Sequence, residues 1–248
     1  MSSYSLEFPE WTAIHTHILP LEQAGLVTRT FRRLDPGRQQ RILQAVLDEA
    51  VEVGPSEINV KRVAARAGIA VGSLYNYFGK RDNLLAFTVE ICTRYVLDMF
   101  DAFQPYLASL PLREALAAYL QGGLEWSEMQ SGLVQFFVRA AYQGDESFYP
   151  RCVEPIAQKM LEIVTQMLSQ AAARGEVRPD VDLQAAARAI NATLLAVGDS
   201  RLLPYLNRYL RVSDDEVPFD RLVEALLDLI LTGIGSGETT PHSQETGT

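Results

Sequence analysis

The stretch that decides the fold runs from Asn59 to Leu85 and reads NVKRVAARAGIAVGSLYNYFGKRDNLL. The Asn59 side chain can cap a helix, and apolar residues recur behind it at helical spacing: Val60, Val63, Ala64 and Ala67. Gly68 supplies the backbone freedom for a tight turn, and a second helix is predicted over 71–78. Two short helices joined by a short turn that contains glycine are typical of a helix-turn-helix.

The second of these helices has the chemistry of a DNA-reading element. Ile69, Leu74 and Phe78 are predicted to face the core. The remaining side chains are then available to the major groove and its phosphates: Val71, Gly72, Ser73, Tyr75, Asn76 and Tyr77. Serine and asparagine can hydrogen-bond base edges, valine can touch a thymine methyl group, and a tyrosine hydroxyl can reach a phosphate. Both tyrosines are expected to be exposed.

The charge distribution agrees with a DNA partner better than the total charge does. The 248-residue chain has a formal net charge of −9. The segment from Arg29 to Arg81 contains ten basic and five acidic residues, so it carries +5 and the remainder carries −14. A basic segment on an acidic body would orient the chain on a polyanion.

The same stretch resembles the TetR family of helix-turn-helix transcription regulators. The family shows the order A-x-x-A-G-[IV]-x-x-G-[ST]-[LIV]-Y-x-[YH]-F-x-x-[KR]-[DE]-x-L. This chain matches it at Ala64, Ala67-Gly68-Ile69, Gly72-Ser73-Leu74-Tyr75, Tyr77-Phe78, Arg81-Asp82 and Leu84. The resemblance covers residues 36–85. The chain departs from the family at Ala70, which removes a helix cap, and at Val71, which removes a phosphate contact; Arg81 replaces the usual lysine.

The resemblance implies a fold and a function. The expected fold is all-α, with an N-terminal three-helix DNA-binding domain followed by a larger helical domain for ligand binding and dimerisation. The expected function is a homodimeric repressor that a small-molecule effector releases from a palindromic double-stranded DNA operator. The alternative on the same fold is a DNA-binding activator or a ligand-independent architectural factor.

Helical periodicity extends along almost the whole chain, whereas alternating runs typical of strands are missing. A short N-terminal helix around Trp11, Ile14, His15 and Ile18 is predicted to stop before Pro20. Asp35 and Pro36 are expected to start the next helix, and Gly54-Pro55 to end it. Further helices are predicted from Arg81 to about Pro105 and then at the following ranges: 111–128, 132–143, 152–174, 182–203 and 218–234.

This pattern predicts four segments. They are an N-terminal extension (1–34), the helix-turn-helix domain (35–80), the ligand-binding and dimerisation domain (81–234), and a disordered polar tail (235–248). In the extension, Arg29, Arg32 and Arg33 are predicted to reach DNA as an arm; the alternative is a solvated linker. Four further polar or basic residues complete the predicted DNA-contacting set: Asn59, Lys61, Lys80 and Arg81.

Two further surfaces are predicted in the C-terminal part. Aromatic and polar residues in the apolar helices are candidates for an effector pocket: Tyr95, Phe103, Tyr119, Trp126, Phe137 and Arg139. Wide apolar stripes on the last two helices are candidates for the dimer interface: Ala187, Ile190, Leu194, Leu226 and Ile230. The alternative for these stripes is an intrachain helical hairpin.

Other classes of function have little support in the sequence. Cys92 and Cys152 are scattered, and His15-x-His17 would diverge on a helix, so no metal site or cofactor is expected. Enzyme motifs such as a nucleophile elbow or a phosphate-binding loop are missing. No apolar run reaches the roughly 18 residues of a membrane span, and the N-terminus does not resemble a signal peptide. The chain is expected to be a cytoplasmic DNA-binding protein and not an enzyme.

Overall fold

A computed structural model describes residues 15–54, 57–129, 131–143 and 149–236. These residues fold into α-helices, and a π-helical turn at Tyr149–Val153 precedes α9. The helices are α1 (Ile18–Gln23), α2 (Arg29–Arg32), α3 (Pro36–Val53), α4 (Val60–Ala67), α5 (Val71–Phe78), α6 (Arg81–Ser109), α7 (Leu112–Met129), α8 (Ser131–Gln143), α9 (Glu154–Ala173), α10 (Leu183–Leu202), α11 (Pro204–Leu210) and α12 (Phe219–Ile234). The all-α prediction is confirmed. No helix in the described ranges is long and apolar enough to cross a membrane.

Prolines account for most of the differences from the predicted helices. Pro20 lies inside α1 instead of ending a helix before it, because the amide groups of a first turn have no intrahelical acceptor to lose. Pro204 begins the unpredicted helix α11 for the same reason. Pro105 lies inside α6, which continues to Ser109. The four-residue helix α2 was also not predicted, and Trp11, Ile14 and most of the predicted tail lie outside the described residues.

The described chain divides into two compact units. The first contains residues 15–103 and 122–160, and the second contains residues 104–121 and 161–236. The first unit holds a continuous core that extends from Ile18 to Cys152 along the chain. The helix-turn-helix belongs to this unit.

The local geometry of the helix-turn-helix follows from its sequence. The Asn59 side chain accepts hydrogen bonds from the amides of Lys61 and Arg62 and so caps α4, as predicted. Gly68 ends α4 in the left-handed region, at φ 66° and ψ 36°, where a side chain would be strained. The amide of Ile69 then donates to the carbonyl of Ala64 over 3.0 Å. Ala70 precedes α5 without a side-chain cap, also as predicted.

Residues 18–34 are part of the same core. Phe31 is fully buried, and its ring lies 5.0 Å from the ring of Phe78, 5.2 Å from that of Phe87 and 6.0 Å from that of Tyr77, between centroids. The segment predicted as an arm or a solvated linker is therefore folded against the recognition helix α5 and the long helix α6. Helical spacing of Val27, Phe31 and Leu34 was the signal in the sequence.

Hydrogen bonds and ion pairs connect the helices of the second unit around the start of α7. Glu176 accepts a hydrogen bond from the amide of Leu112 over 2.7 Å, which satisfies one of the free amides at that helix start. Arg174 donates to the carbonyls of Ala108 and Leu110. Arg113 on α7 pairs with Glu224 and Asp228 on α12, each over 2.6 Å.

Replacing Phe31 with alanine should lower the free energy of unfolding by about 3–5 kcal/mol, because the change opens a cavity among three aromatic rings. Urea denaturation followed by circular dichroism measures the effect. Leu19 is the matched control, since its side chain is 48% exposed and its replacement with alanine should cost under about 0.5 kcal/mol. Equal effects of the two changes would show that residues 18–34 do not support the core.

Candidate nucleic-acid interface

Helix α5 presents two different faces. Leu74, Tyr77 and Phe78 are buried against the core. Gly72, Tyr75, Asn76 and, just beyond the helix, Gly79 and Lys80 are exposed on the opposite side. Val71 and Ser73 are half-buried, and Val71 packs against the core cluster. The exposed face combines an amide, a phenol and an ammonium group, which are donors suited to base edges and phosphates.

The prediction that both tyrosines are exposed is wrong for Tyr77. Tyr75 is 47% exposed, whereas Tyr77 is 7% exposed and packs edge-on against Phe31 and Phe78. In a helix with 3.6 residues per turn, residues 74, 77 and 78 lie on the same side. Because Leu74 faces the core, Tyr77 also faces the core. Sequence reasoning placed the ring outside because the aromatic partner, Phe31, lies 46 positions earlier in the chain.

The C-terminal end of α5 is held by Thr28, a residue that carried no motif in the sequence. Its backbone amide donates to the carbonyl of Tyr77 over 2.8 Å, and its hydroxyl donates to the carbonyl of Asn76 over 3.0 Å. The last carbonyls of a helix have no intrahelical donor, so these two bonds satisfy groups that would otherwise need water. The N-terminal segment thus fixes the position of α5 directly.

Two arginines of the basic segment are paired within the first unit. Arg62 and Arg66 on α4 approach the fully buried carboxylate of Glu49 over 2.9 and 3.3 Å, and both also contact Glu52. The hydrogen bond from Arg62 holds the pKa of Glu52 below its ordinary value. These arginines fasten α4 to α3, so their charges contribute less to the surface than the sequence suggested.

The arginines of the N-terminal segment separate into two groups. Arg32 is half-buried and pairs with Glu22 of α1, whereas Arg29 and Arg33 are exposed. All three were predicted to reach DNA as an arm, and the structure instead pairs Arg32 with a carboxylate of α1, so a role in DNA contact stays a prediction. Arg81 is half-buried, and its Nε donates to the carbonyl of Ile58 over 3.0 Å.

Several other cations of the basic segment have no ion pair within the described residues. They are Arg29, Arg33, Arg38, Arg41, Lys61 and Lys80. Lys61 lies in the first turn of α4 and Lys80 directly follows α5. The available positive charge therefore lies on the first turn of α4, just beyond the end of α5, on the N-terminal half of α3 and on the segment that contains Arg29 and Arg33.

The predicted pocket residues fall in different environments. Tyr95, Trp126 and Phe137 belong to the core of the first unit, or pack against it, while Phe103 is 56% exposed. The structure does not describe the side chain of Arg139. Two cavities formed by the described residues are lined by none of the predicted pocket residues. As a pocket lining, these residues remain a prediction.

Tyr119 lies in the second unit, where its hydroxyl is buried and has no hydrogen-bond partner among the described residues. Burial raises its pKa. The side-chain oxygen of Asn191, in the same unit, is likewise buried without a partner in the described chain.

The residues predicted to form the dimer interface differ in their exposure. Ala187, Ile190 and Leu194 are at most 6% exposed in the single chain, so their assignment to a subunit surface is wrong. They form the inward face of α10, and periodicity alone could not tell which side of a broad apolar helix faces inward. Leu226 and Ile230 on α12 are half-buried, next to Leu229, which is 72% exposed.

Comparison with known proteins agrees with this architecture. Residues 42–86 match the model of the bacterial regulatory proteins of the tetR family, and residues 112–235 match the model of the SbtR-like transcriptional regulator C-terminal domain. The HTH-type transcriptional regulator BetI of Yersinia pestis is 28% identical over 105 residues, which are 41% of this chain and 52% of BetI. The chain thus spans about half the length of the curated relatives it matches.

Solved structures share the fold. A TetR family transcriptional regulator from Chloroflexus aurantiacus has a TM-score of 0.57 at 22% identity and covers 84% of this chain and 98% of its own. The triclosan complex of SmeT, from Stenotrophomonas maltophilia, has a TM-score of 0.61 at 18% identity, with coverages of 83% and 98%. With both family models matched in order, the chain belongs to the TetR family of transcription regulators. This is a family of regulators and not of enzymes.

Replacing Glu49 with glutamine should lower the free energy of unfolding by about 1–3 kcal/mol, because it removes the charge that two arginines share while keeping the side-chain shape. Thermal and urea denaturation measure the loss. Glu57 is exposed and is the matched control, so the same change there should be close to neutral. A neutral result at Glu49 would mean that the pairs do not fasten α4 to α3.

Proposed function

We propose that the chain is a sequence-specific DNA-binding repressor that acts on a palindromic operator. The observation that carries this proposal is the exposed face of α5, which contains Tyr75 and Asn76 and is followed two residues beyond the helix by the exposed Lys80. Asn76 is assigned to a base edge, and Tyr75 and Lys80 to phosphates. The other predicted contacts, from Asn59, Lys61, Ser73 and Arg81, surround this face and belong to the same proposal.

Gly72 supports a close approach of another molecule. A Cβ added at this position would meet no described atom within 4 Å, so the fold itself does not require glycine there. Glycine inside a helix costs roughly 0.5–1 kcal/mol relative to alanine. A phosphate or base edge lying directly against the backbone of α5 would account for the glycine.

The regulation proposed is release by a small-molecule effector. The buried, unpartnered oxygens of Tyr119 and Asn191 support this idea, because a buried polar group without a partner costs about 1–3 kcal/mol that a polar ligand would offset. SmeT is described as the repressor of a multidrug efflux pump and has been solved with triclosan. Thermal-shift screening of the intact chain separates this proposal from a ligand-independent factor, and a reporter assay separates repression from activation.

The assembly proposed is a homodimer in the cytoplasm, where it would meet its operator. The half-exposed and exposed apolar residues of α12 support the dimer: Leu222, Leu226, Leu229 and Ile230. Exposed alanines on α10 would allow a second helix to approach closely: Ala185, Ala189 and Ala192. The predicted division into a DNA-binding domain (35–80) and a ligand-binding and dimerisation domain (81–234) is part of the same proposal.

Selection of bound duplexes from random DNA should enrich one palindromic site. On that site Asn76→Ala should cost about 1–3 kcal/mol of binding free energy and leave affinity for unrelated DNA unchanged. Lys80→Gln should instead weaken binding to both DNAs and reduce the salt slope by about 1.8, because each of the two subunits loses one phosphate contact. Failure to enrich any site would contradict sequence-specific binding, and identical behaviour of the two variants would contradict the assignment of Asn76.

Exchanging Arg29 and Arg33 together for glutamine should reduce the slope of log affinity against log salt by about 3.6 for the proposed dimer, because each subunit loses two phosphate contacts and each contact contributes about 0.9. Binding is measured between 50 and 200 mM salt, roughly the range in which such effects are large. Arg208→Gln on α11, an exposed arginine outside the proposed subunit contact, is the control, with no change expected. An unchanged slope in the double variant would place both arginines away from DNA.

Introducing glutamate at Leu229 should produce folded monomers, because the charge is harmless in water and costs several kcal/mol in a buried subunit contact. Light scattering reports the mass, and circular dichroism checks that the helices remain. Tyr209→Glu on α11 is the control, since Tyr209 is 82% exposed and lies outside the proposed contact. A dimeric Leu229→Glu protein would show that the subunits meet elsewhere.

A further inference from the structure

A cavity in the first unit lies between the N-terminal segment, the middle of α6 and the π-helical turn before α9. Its volume is about 330 Å³. Its lining combines three apolar residues of the N-terminal segment, Leu21, Ala24 and Leu26, with three charged residues, Glu90, Arg94 and Arg151. None of these six residues belongs to the proposed DNA-contacting face.

The charged residues that line the cavity supply two guanidinium groups and one carboxylate. Arg94 Nε lies 3.7 Å from one oxygen of Glu90, and Arg151 Nη1 lies 3.9 Å from the other. Both distances are longer than a normal N–H···O hydrogen bond. Glu90 therefore attracts the two arginines electrostatically without forming a hydrogen bond at either of these nitrogens. A guanidinium carries five N–H donors, and one carboxylate leaves the group with a net charge of +1.

We propose that this cavity binds a small carboxylate with a short, unbranched alkyl chain. The carboxylate of the ligand would lie between Arg94 and Arg151, whose planar forks match two oxygens. The alkyl chain would lie against Leu21, Ala24 and Leu26, where burial removes apolar surface from water. The charge of the arginines selects an anion, and the apolar residues select an alkyl acid over inorganic phosphate.

Binding at this place would stabilise the recognition helix through the chain itself. The ligand contacts residues 21–26, and two positions further on Thr28 holds the carbonyls of Asn76 and Tyr77. A ligand that bridges α6, the turn and the N-terminal segment therefore favours the packed state of that segment. Stabilisation of the N-terminal segment by the ligand does not depend on whether the chain binds DNA.

Isothermal titration of the intact chain with sodium butyrate, hexanoate and octanoate tests the site. Hexanoate should bind, whereas hexylamine and inorganic phosphate should bind at least about tenfold more weakly. Arg151→Gln should weaken hexanoate at least about tenfold. Glu90→Gln should strengthen it several-fold, because the competing carboxylate is lost. Arg208→Gln in the second unit is the control and should leave the affinity unchanged.

Hydrogen exchange gives a second, independent readout. Hexanoate should slow exchange of the Thr28 amide in the wild-type chain and have no such effect in Arg151→Gln. No binding of any of the three carboxylates at millimolar concentration would overturn the proposal, as would equal binding by Arg151→Gln and the wild type. Phosphate binding as tightly as hexanoate would overturn the apolar part of the site. None of these outcomes bears on whether α5 binds DNA.

Discussion

The packing of Phe31 against Tyr77, Phe78 and Phe87 is the constraint on which the DNA-binding part depends. Helix α5 is only eight residues long, and an isolated helix of this length is unstable in water. It is held on one side by burial of its aromatic residues and at its C-terminal end by the hydrogen bonds of Thr28. Phe31 and Thr28 of the N-terminal segment make these contacts. The orientation of the exposed face of α5 therefore depends on residues that precede the family motif.

The same arrangement explains how an acidic chain can present a basic face. Folding pairs Arg62 and Arg66 with carboxylates of α3 and Arg32 with α1, so these three cations stabilise structure. Arg29, Arg33, Lys61 and Lys80 form no such pairs in the described residues. Unpaired cations beside α5 can make the local electrostatic potential positive although the net charge of the chain is −9. The potential close to a surface depends mainly on the charges nearest to it.

The last helices have more apolar surface than the second unit buries. The inward face of α10 completes the core of the second unit through Ala187, Ile190 and Leu194. On α12 the buried residues Val223 and Leu227 occupy one side, while Leu226 and Leu229 lie toward solvent. An apolar stripe wider than its own core needs is typical of a helix that has a second contact.

The sequence by itself determined the helical class, most helix bounds, the turn at Gly68 and the cap at Asn59, because these follow from contacts within a few residues. It also predicted an outward-facing set of residues on α5, and the structure exposes Gly72, Tyr75 and Asn76 of that set but buries Tyr77. Only the tertiary structure decided that residues 18–34 are packed, that Arg32, Arg62 and Arg66 are paired, and which side of α10 faces inward. The spacing of Val27, Phe31 and Leu34 indicates an apolar face in the first of these segments but does not identify what it packs against. Each outcome depends on partners distant in the chain or on the choice between two apolar faces, and helical periodicity does not identify either.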